Sequence, residues 1–319
     1  MNDNILVTGA AGFIGYHLSK SLLEDDFNVI GIDNLNDYYD IELKKARLKN
    51  IADYPGFTFE KIDISNKEDV EKVFLKYNPK KVVNLAAQAG VRYSINNPHS
   101  YMNSNLVGFL NIIECCRHND VEGLIYASSS SVYGNNKKIP FSVEDKVDQP
   151  ISLYAATKNA NEQIAKSYSH LYNLNTTGLR LFTVYGPWGR PDMAYFSFTQ
   201  KILNKQPIKV FNNGNMKRDF TYIDDIVCGI KSALNNNYQC EIFNLGNNKS
   251  EKLMNFINQI EKELNIKAII KFLPMQAGDM YETYADISKS NKMLGYHPNT
   301  SINKGIKEFI DWYKNYYNI

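Results

Sequence analysis

The chain has 319 residues, 44% of them hydrophobic, and a net charge of +2 from 36 basic and 34 acidic residues. Interspersed, balanced charge excludes the electrostatic footprint of a nucleic-acid or anionic-membrane binder, and the length allows one large domain or two modest ones. No apolar run nears the roughly 18 residues of a membrane span, and the first residues read as a strand instead of a signal peptide. Cys115, Cys116, Cys228 and Cys240 lack metal-ligand spacing. They suit reduced thiols in a cytoplasmic protein, and no metal site is expected.

The organising stretch is ILVTGAAGFIG, residues 5–15. An apolar run reads as a buried strand, glycines follow at Gly9, Gly12 and Gly15, and Phe13, Ile14, Leu18, Leu22 and Leu23 then take helical spacing. Strand, glycine turn and helix in that order form a phosphate-binding device, because amides at the helix start face the pyrophosphate. A second strand, residues 28–33, ends on Asp33, placed to accept from the adenosine ribose hydroxyls. A carboxylate there repels a 2′-phosphate, which favours NAD over NADP.

A tyrosine-rich loop then runs into a polar helix within residues 34–51, and its length marks it as a functional candidate. Strands are expected at 57–64, where Asp63 could meet an adenine amino group, and at 81–87, with a helix at 67–77 between them. Small Ala86 and Ala87 let the second of these strand ends pass close to a cofactor. Alternating strands and helices predict a parallel, doubly wound sheet. A long helix follows over 98–118, with Asn105 inside it as either a solvated position or a site residue.

The strand at 123–129 delivers a run of hydroxyls, Ser128 to Ser131, to the sheet edge where such folds bind ligands. Tyr154 and Lys158 open a helix reaching about Asn173; four apart, they share one face. An ammonium so placed can lower the phenol's pKa from about 10, enabling proton exchange with a sugar hydroxyl near neutral pH. After a strand at 176–183, the chain mixes shorter elements: helices at 194–204, 251–264 and 302–317 and strands near 208–211 and 241–245. The expected organisation is a cofactor domain over 1–182 and a smaller α/β substrate lobe over 183–319, parts of which return to the first domain.

Together these features resemble the NAD-dependent epimerase/dehydratase family, the extended short-chain dehydrogenases that act on sugar nucleotides. IDNLNDYYDIELKKARL (32–48), NLAAQAGVRYS (84–94), SLYAATK (152–158), VYGPWGRPDMA (184–194), NMKRDFTYIDDI (215–226) and PMQAGDMYETYADISK (274–289) are most similar to its UDP-glucuronate 4-epimerase group. The resemblance implies an α/β Rossmann-like fold and a catalytic set of Ser129, Tyr154 and Lys158, with Ser130 a rival for the serine. NAD positions fall on Gly9, Gly12, Phe13, Ile14, Gly15, Asp33, Asn34, Asp63, Ile64, Leu85, Ala86, Ala87 and Asn105, besides Tyr154 and Lys158. Arg218 matches the arginine that holds the nucleotide diphosphate.

Two positions depart from galactose-type epimerases: Gln276 replaces a second diphosphate arginine, and Thr183 replaces an asparagine. Arg92 and Arg190 are further cations near the expected sugar pocket, facing a substrate carboxylate or else the diphosphate and solvent; Ser130 and Ser131 could also hold that carboxylate. Dehydratases of the family carry Asp-Glu before V-Y-G, and decarboxylases carry Glu there, whereas this chain has Ser130-Ser131. The implied activity is therefore 4-epimerisation of UDP-glucuronate through transient C4 oxidation by tightly held NAD, with UDP-glucose and UDP-N-acetylglucosamine as alternative substrates. Decarboxylation, dehydration and non-catalytic NAD binding rank lower. Relatives dimerise through helices matching 98–118 and 154–173, so a homodimer is expected.

Overall fold

The computed structural model describes residues 3–275 and 281–319. Seven parallel strands form its central sheet: β1 (Asn4–Thr8), β2 (Asn28–Ile32), β3 (Phe57–Glu60), β4 (Lys81–Asn84), β5 (Gly123–Ser129), β6 (Thr176–Leu181) and a late strand, Cys240–Leu245. Their spatial order is late strand, β6, β5, β4, β1, β2, β3. The order reverses between β1 and β4, and ligands of open α/β sheets bind at such a switch point.

Period-two alternation fills both faces of the sheet. Ile5 and Val7 of β1 join one apolar cluster, while Leu6 joins the other. On the first face lie the helices Phe13–Glu24 and Ile223–Asn236; on the second lie Lys67–Tyr77, Gly108–His118 and Leu153–Tyr172. Burial of strands on both sides explains their near-continuous Val, Ile and Leu runs. The fold is thus the expected Rossmann-like α/β sheet.

The remaining strands are short: β7 (Thr183–Tyr185), β8 (Ile208–Val210), β9 (Lys217–Arg218) and β10 (Phe220–Tyr222) precede the late strand, β11. After it come β12 (Glu251–Lys252), β13 (Ile270–Phe272) and β14 (Glu282–Thr283). They pair as β7 with β10, β8 with β13, and β9 between β12 and β14. Helices Ala194–Leu203, Leu253–Leu264 and Ile302–Tyr317 pack around them, and their buried Phe196, Phe256 and Phe309 belong to the same cluster as the first sheet face. One core therefore runs from the sheet into these later elements.

Three local differences from the sequence expectation bear on the site. β3 and β4 end at Glu60 and Asn84 instead of 64 and 87; beyond β4 the Thr8 hydroxyl takes the Ala86 amide in place of a strand partner. The helix expected at 98–118 starts as Pro98–Tyr101, widens into a π turn over Met102–Val107, and regains α geometry at Gly108. The Ile223–Asn236 helix was not expected, although Ile223, Ile226, Val227, Ile230, Ala233 and Leu234 mark its buried stripe.

Candidate active site

The cofactor half of the site is made mostly of backbone. Gly9 has φ +71°, and a Cβ there would lie 2.9 Å from the Ala86 nitrogen. A Cβ on Gly15 would lie 2.1 Å from the Gly9 oxygen, so helix and strand approach in a way only glycine permits. No side chain caps the Phe13–Glu24 helix, whose first turn includes Phe13 and Ile14. Its leading amides are the donors an anionic pyrophosphate takes. The residues present therefore fit a dinucleotide.

Around this turn the expected residues converge. Asp33 accepts from the Ala11 amide at 3.2 Å and the Leu35 amide at 2.9 Å. Burial raises its pKa against those bonds and nearby Lys44. Asn34 donates to Asp63 at 2.8 Å, and Ser65 donates to the other oxygen of Asp63 through its amide and hydroxyl. Burial of Asp63 works against ionisation, but these bonds prevail and hold the carboxyl below its ordinary range. Ile64 is buried against Gly108, its carbonyl capped by Asn111 at 2.9 Å.

Thr8 donates to Asn84 at 2.7 Å and accepts from the Ala86 amide at 2.9 Å. That tie fixes Leu85, Ala86 and Ala87 beside the glycine turn after the β4 ladder stops. Asn105 is buried, not solvated. Its oxygen accepts from the Gln88 amide at 2.8 Å, and its nitrogen reaches the Gln88 carbonyl and the Thr157 hydroxyl at 3.0 and 3.1 Å. The π turn thereby joins the Gln88 segment to the helix that carries Tyr154 and Lys158.

Ser129 and Tyr154 meet at the carboxyl edge of β5, where the serine hydroxyl favours the ionised phenol. Ser152 caps the helix by accepting from the Ala155 amide at 3.1 Å, which sets Tyr154 in the first turn. Ser129 also accepts from the Ser131 amide at 3.2 Å. Ser130 and Ser131 are half-buried beside it, whereas Ser128 turns away and donates to Glu162.

Lys158 is buried and donates to the Ala127 carbonyl at 2.8 Å. Burial lowers its pKa to about 8. Burial also raises that of Tyr154, against the Ser129 hydroxyl and the charge of Arg190. The phenol's pKa thus stands above its ordinary value, not below it as the spacing suggested, and the amine is turned to the β5 backbone.

The residues expected to meet the substrate are mostly long side chains. Arg190 forks onto Asp192, with contacts of 3.0 and 2.6 Å, and Tyr38 donates to the same carboxylate at 3.1 Å. The Arg92 guanidinium lies 5.1 Å from the Phe211 ring centre. Arg218 donates to the Lys217 and Tyr281 carbonyls at 2.9 and 3.3 Å. Asp219 beside it serves Thr221, Asn247 and Ala285, and burial pushes its carboxyl up to about 6 against those bonds. The half-buried Thr183 pairs with Phe220 across β7 and β10. Gln276 lies outside the described residues. Among those residues, no cluster of His, Cys, Asp or Glu could hold a metal, and no helix is long and apolar enough to cross a membrane.

Sequence reasoning missed Arg47. Fully buried, it donates to the carbonyls of Ala11, Trp188 and Gly189 and to the Tyr39 hydroxyl, at 2.7 to 3.0 Å. One guanidinium thus ties the glycine turn to the segment bearing Arg190. A charged residue in a polar helix gives no sign of this from spacing alone.

The comparisons agree with this geometry. Protein CapI of Staphylococcus aureus is 51% identical over 98% of this chain and 99% of its own length. UDP-glucuronate 4-epimerase 4 of Arabidopsis thaliana is 47% identical, covering 98% of this chain and 76% of the plant protein. The crystal structure of UDP-glucuronic acid 4-epimerase from Bacillus cereus, in complex with UDP-glucuronic acid and NAD, superposes with a TM-score of 0.92 at 34% identity. It covers 98% of this chain and all of its own. The family profile of NAD-dependent epimerases and dehydratases matches residues 5–246. With the glycine turn, Asp33 and the Ser129–Tyr154 pair arranged on one sheet edge, the chain belongs to the NAD-dependent epimerase/dehydratase family.

Proposed function

We propose that this protein interconverts UDP-glucuronate and UDP-galacturonate by epimerisation at C4. The observation that carries the reaction type is the meeting of Ser129 and Tyr154, with Lys158 fixed one helical turn behind and the glycine turn on the same sheet edge. Similarity to UDP-glucuronate 4-epimerases over nearly the whole chain supports the choice of sugar.

When bound, NAD supplies reversible oxidation at C4, and its cationic nicotinamide favours an ionised phenol. Tyr154 takes the C4 hydroxyl proton and later returns it, while Ser129 donates to the same oxygen. Lys158, one turn behind and held on the Ala127 carbonyl, adds its charge to that of the nicotinamide in favouring the ionised phenol, which burial alone disfavours. Between the two transfers the 4-keto sugar turns over and presents its other face.

A 4-keto glucuronate is a β-keto acid prone to losing carbon dioxide, so its carboxylate must be held. Ser130, Ser131, Thr183, Arg92 and Arg190 are assigned to it, with Arg190 exchanging Asp192 for the substrate. Arg218 holds the diphosphate, for which a forked permanent cation suits, and Gln276 is assigned to the same nucleotide. The protein is cytoplasmic, consistent with four free cysteines. It forms a homodimer through the exposed Met102, Val107, Leu110, Leu171 and Tyr172 of the helices within 98–118 and 153–172.

The test is incubation with UDP-glucuronate and chromatographic resolution of the product sugars. UDP-galacturonate is the expected product. Turnover of UDP-glucose or UDP-N-acetylglucosamine, with UDP-glucuronate left unchanged, overturns the substrate assignment.

A further inference from the structure

Beneath the Ser129–Tyr154 pair lies a buried ion pair that the mechanism above leaves unused. Glu162 and Arg180 have side chains 1% and 3% exposed and meet at 2.8 and 2.9 Å in a two-pronged contact. Removing two charges from water costs several kcal/mol per ion by general estimate. A pair kept in the core is therefore weak evidence for stability and invites another explanation.

Its surroundings supply one. Tyr154, Lys158 and Glu162 stand at i, i+4 and i+8 on the Leu153–Tyr172 helix, a single stripe facing the sheet. Each holds one of three consecutive residues at the end of β5. Lys158 takes the Ala127 carbonyl, Glu162 takes the Ser128 hydroxyl at 2.6 Å, and Tyr154 faces Ser129. Arg180 on β6 is the register partner of Ser128 and also of Asn244 on β11.

The row continues beyond the arginine. The Arg180 guanidinium packs over the Tyr133 ring at 4.9 Å, and Tyr133 donates to Asn244 at 2.6 Å. Asn244 in turn donates to the Phe141 and Asp286 carbonyls at 2.8 and 3.0 Å. A polar row therefore crosses three strands directly below the reacting groups.

We propose that Glu162 and Arg180 are positioning residues for the epimerase: acting through Ser128, they hold Ser129 against Tyr154, and their opposed charges balance the interior next to Lys158. The inference rests on the proposed function for its assay. Strand alternation explains the division of labour, since adjacent serines point to opposite faces and only Ser129 can meet the sugar. Charge balance follows from spacing, because Glu162 sits one helical turn from Lys158. Without Arg180, a bare carboxylate there favours the ammonium; without Glu162, a bare guanidinium disfavours it.

The experiment compares kcat, KM and the pH dependence of kcat for NAD-loaded wild type, Ser128→Ala, Glu162→Gln, Arg180→Met and the Glu162→Met/Arg180→Met double variant, with bound NAD measured separately. All four variants should lose about tenfold in kcat with KM within about twofold and NAD retained, as expected when orientation alone is lost. The alkaline limb, on which Lys158 gives up its proton, should move to lower pH in Glu162→Gln and to higher pH in Arg180→Met. In Ser128→Ala and the double variant it should stay put. The double variant guards against misfolding of the singles, because removing both charges is often neutral for stability.

Wild-type kcat in Ser128→Ala and the double variant overturns the proposal. So does a loss of NAD and rise in KM in step with kcat, the pattern of a loosened fold. If wild type leaves UDP-glucuronate unchanged, the substrate reading has failed instead; the same variants are then compared on the UDP-hexose that wild type does turn over.

Discussion

The two sides of the cleft are built on different principles. On the NAD side, backbone is fitted to backbone: Gly15 against Gly9, Gly9 against Ala86, and Thr8 pinning the end of β4. On the proposed sugar side, arginines reach their partners through long side chains, as with Arg218 on the Tyr281 carbonyl and Arg190 on Asp192. A cofactor common to many reactions calls for a fixed mould. A sugar that must turn over between two transfers calls for contacts that can be exchanged, and side chains provide them.

The contrast can be broken at several points. The largest effect belongs to Tyr154→Phe, expected to reduce turnover at least about a thousandfold while bound NAD stays, since only the proton carrier is lost. Product assays together with the absorbance of the released cofactor check both halves. Gly15→Ala should do the opposite, abolishing NAD retention, because its Cβ would sit 2.1 Å from the Gly9 oxygen. Purified protein lacking the cofactor's absorbance is the readout. Full NAD content in this variant would show that the mould is softer than the geometry implies.

Arg47→Met tests whether the two sides are joined. It leaves the carbonyls of Ala11, Trp188 and Gly189 without their donor, and denaturant unfolding should show a loss of about 3 kcal/mol. NAD affinity and the KM for the UDP-sugar should both worsen, where an independent pair of half-sites would lose only one. A smaller change concerns Lys158 in NAD-free protein. Its folded pKa of about 8 lies below that of an unfolded lysine, so the folded state binds fewer protons between those values. The stability of wild type relative to Lys158→Met should therefore rise as pH increases from 8 towards 10, by on the order of 2 kcal/mol. Parallel unfolding curves over that range would contradict it.

Legibility in the sequence follows the same division. The glycine turn, Asp33 and the order of strands were readable because backbone constraints impose residue types at fixed spacings. The shared face of Tyr154 and Lys158 was readable from helix spacing, whereas Ser129 was singled out from its serine run only by family resemblance, with Ser130 a rival. The hydrogen-bonding partner of Lys158 was not readable, since i, i+4 spacing shows a shared face but not that the amine turns to the Ala127 carbonyl. Spacing left Asn105 either a solvated position or a site residue, and the π turn decides it by rotating the side chain inward. Arg47 was illegible for a stronger reason: three of its acceptors are carbonyl groups, which carry no residue identity at all.

The widened turn at Met102–Val107 has a consequence for how this chain could tolerate change. A π turn accommodates one more residue than regular winding needs. Deleting a single residue there should let the helix close up to ordinary pitch, leaving Phe109, Ile112 and Ile113 seated in their cluster. The fold would survive such a deletion and lose only the clasp between Asn105, Gln88 and Thr157. The spare residue is thus a removable part, serving the cleft instead of the scaffold.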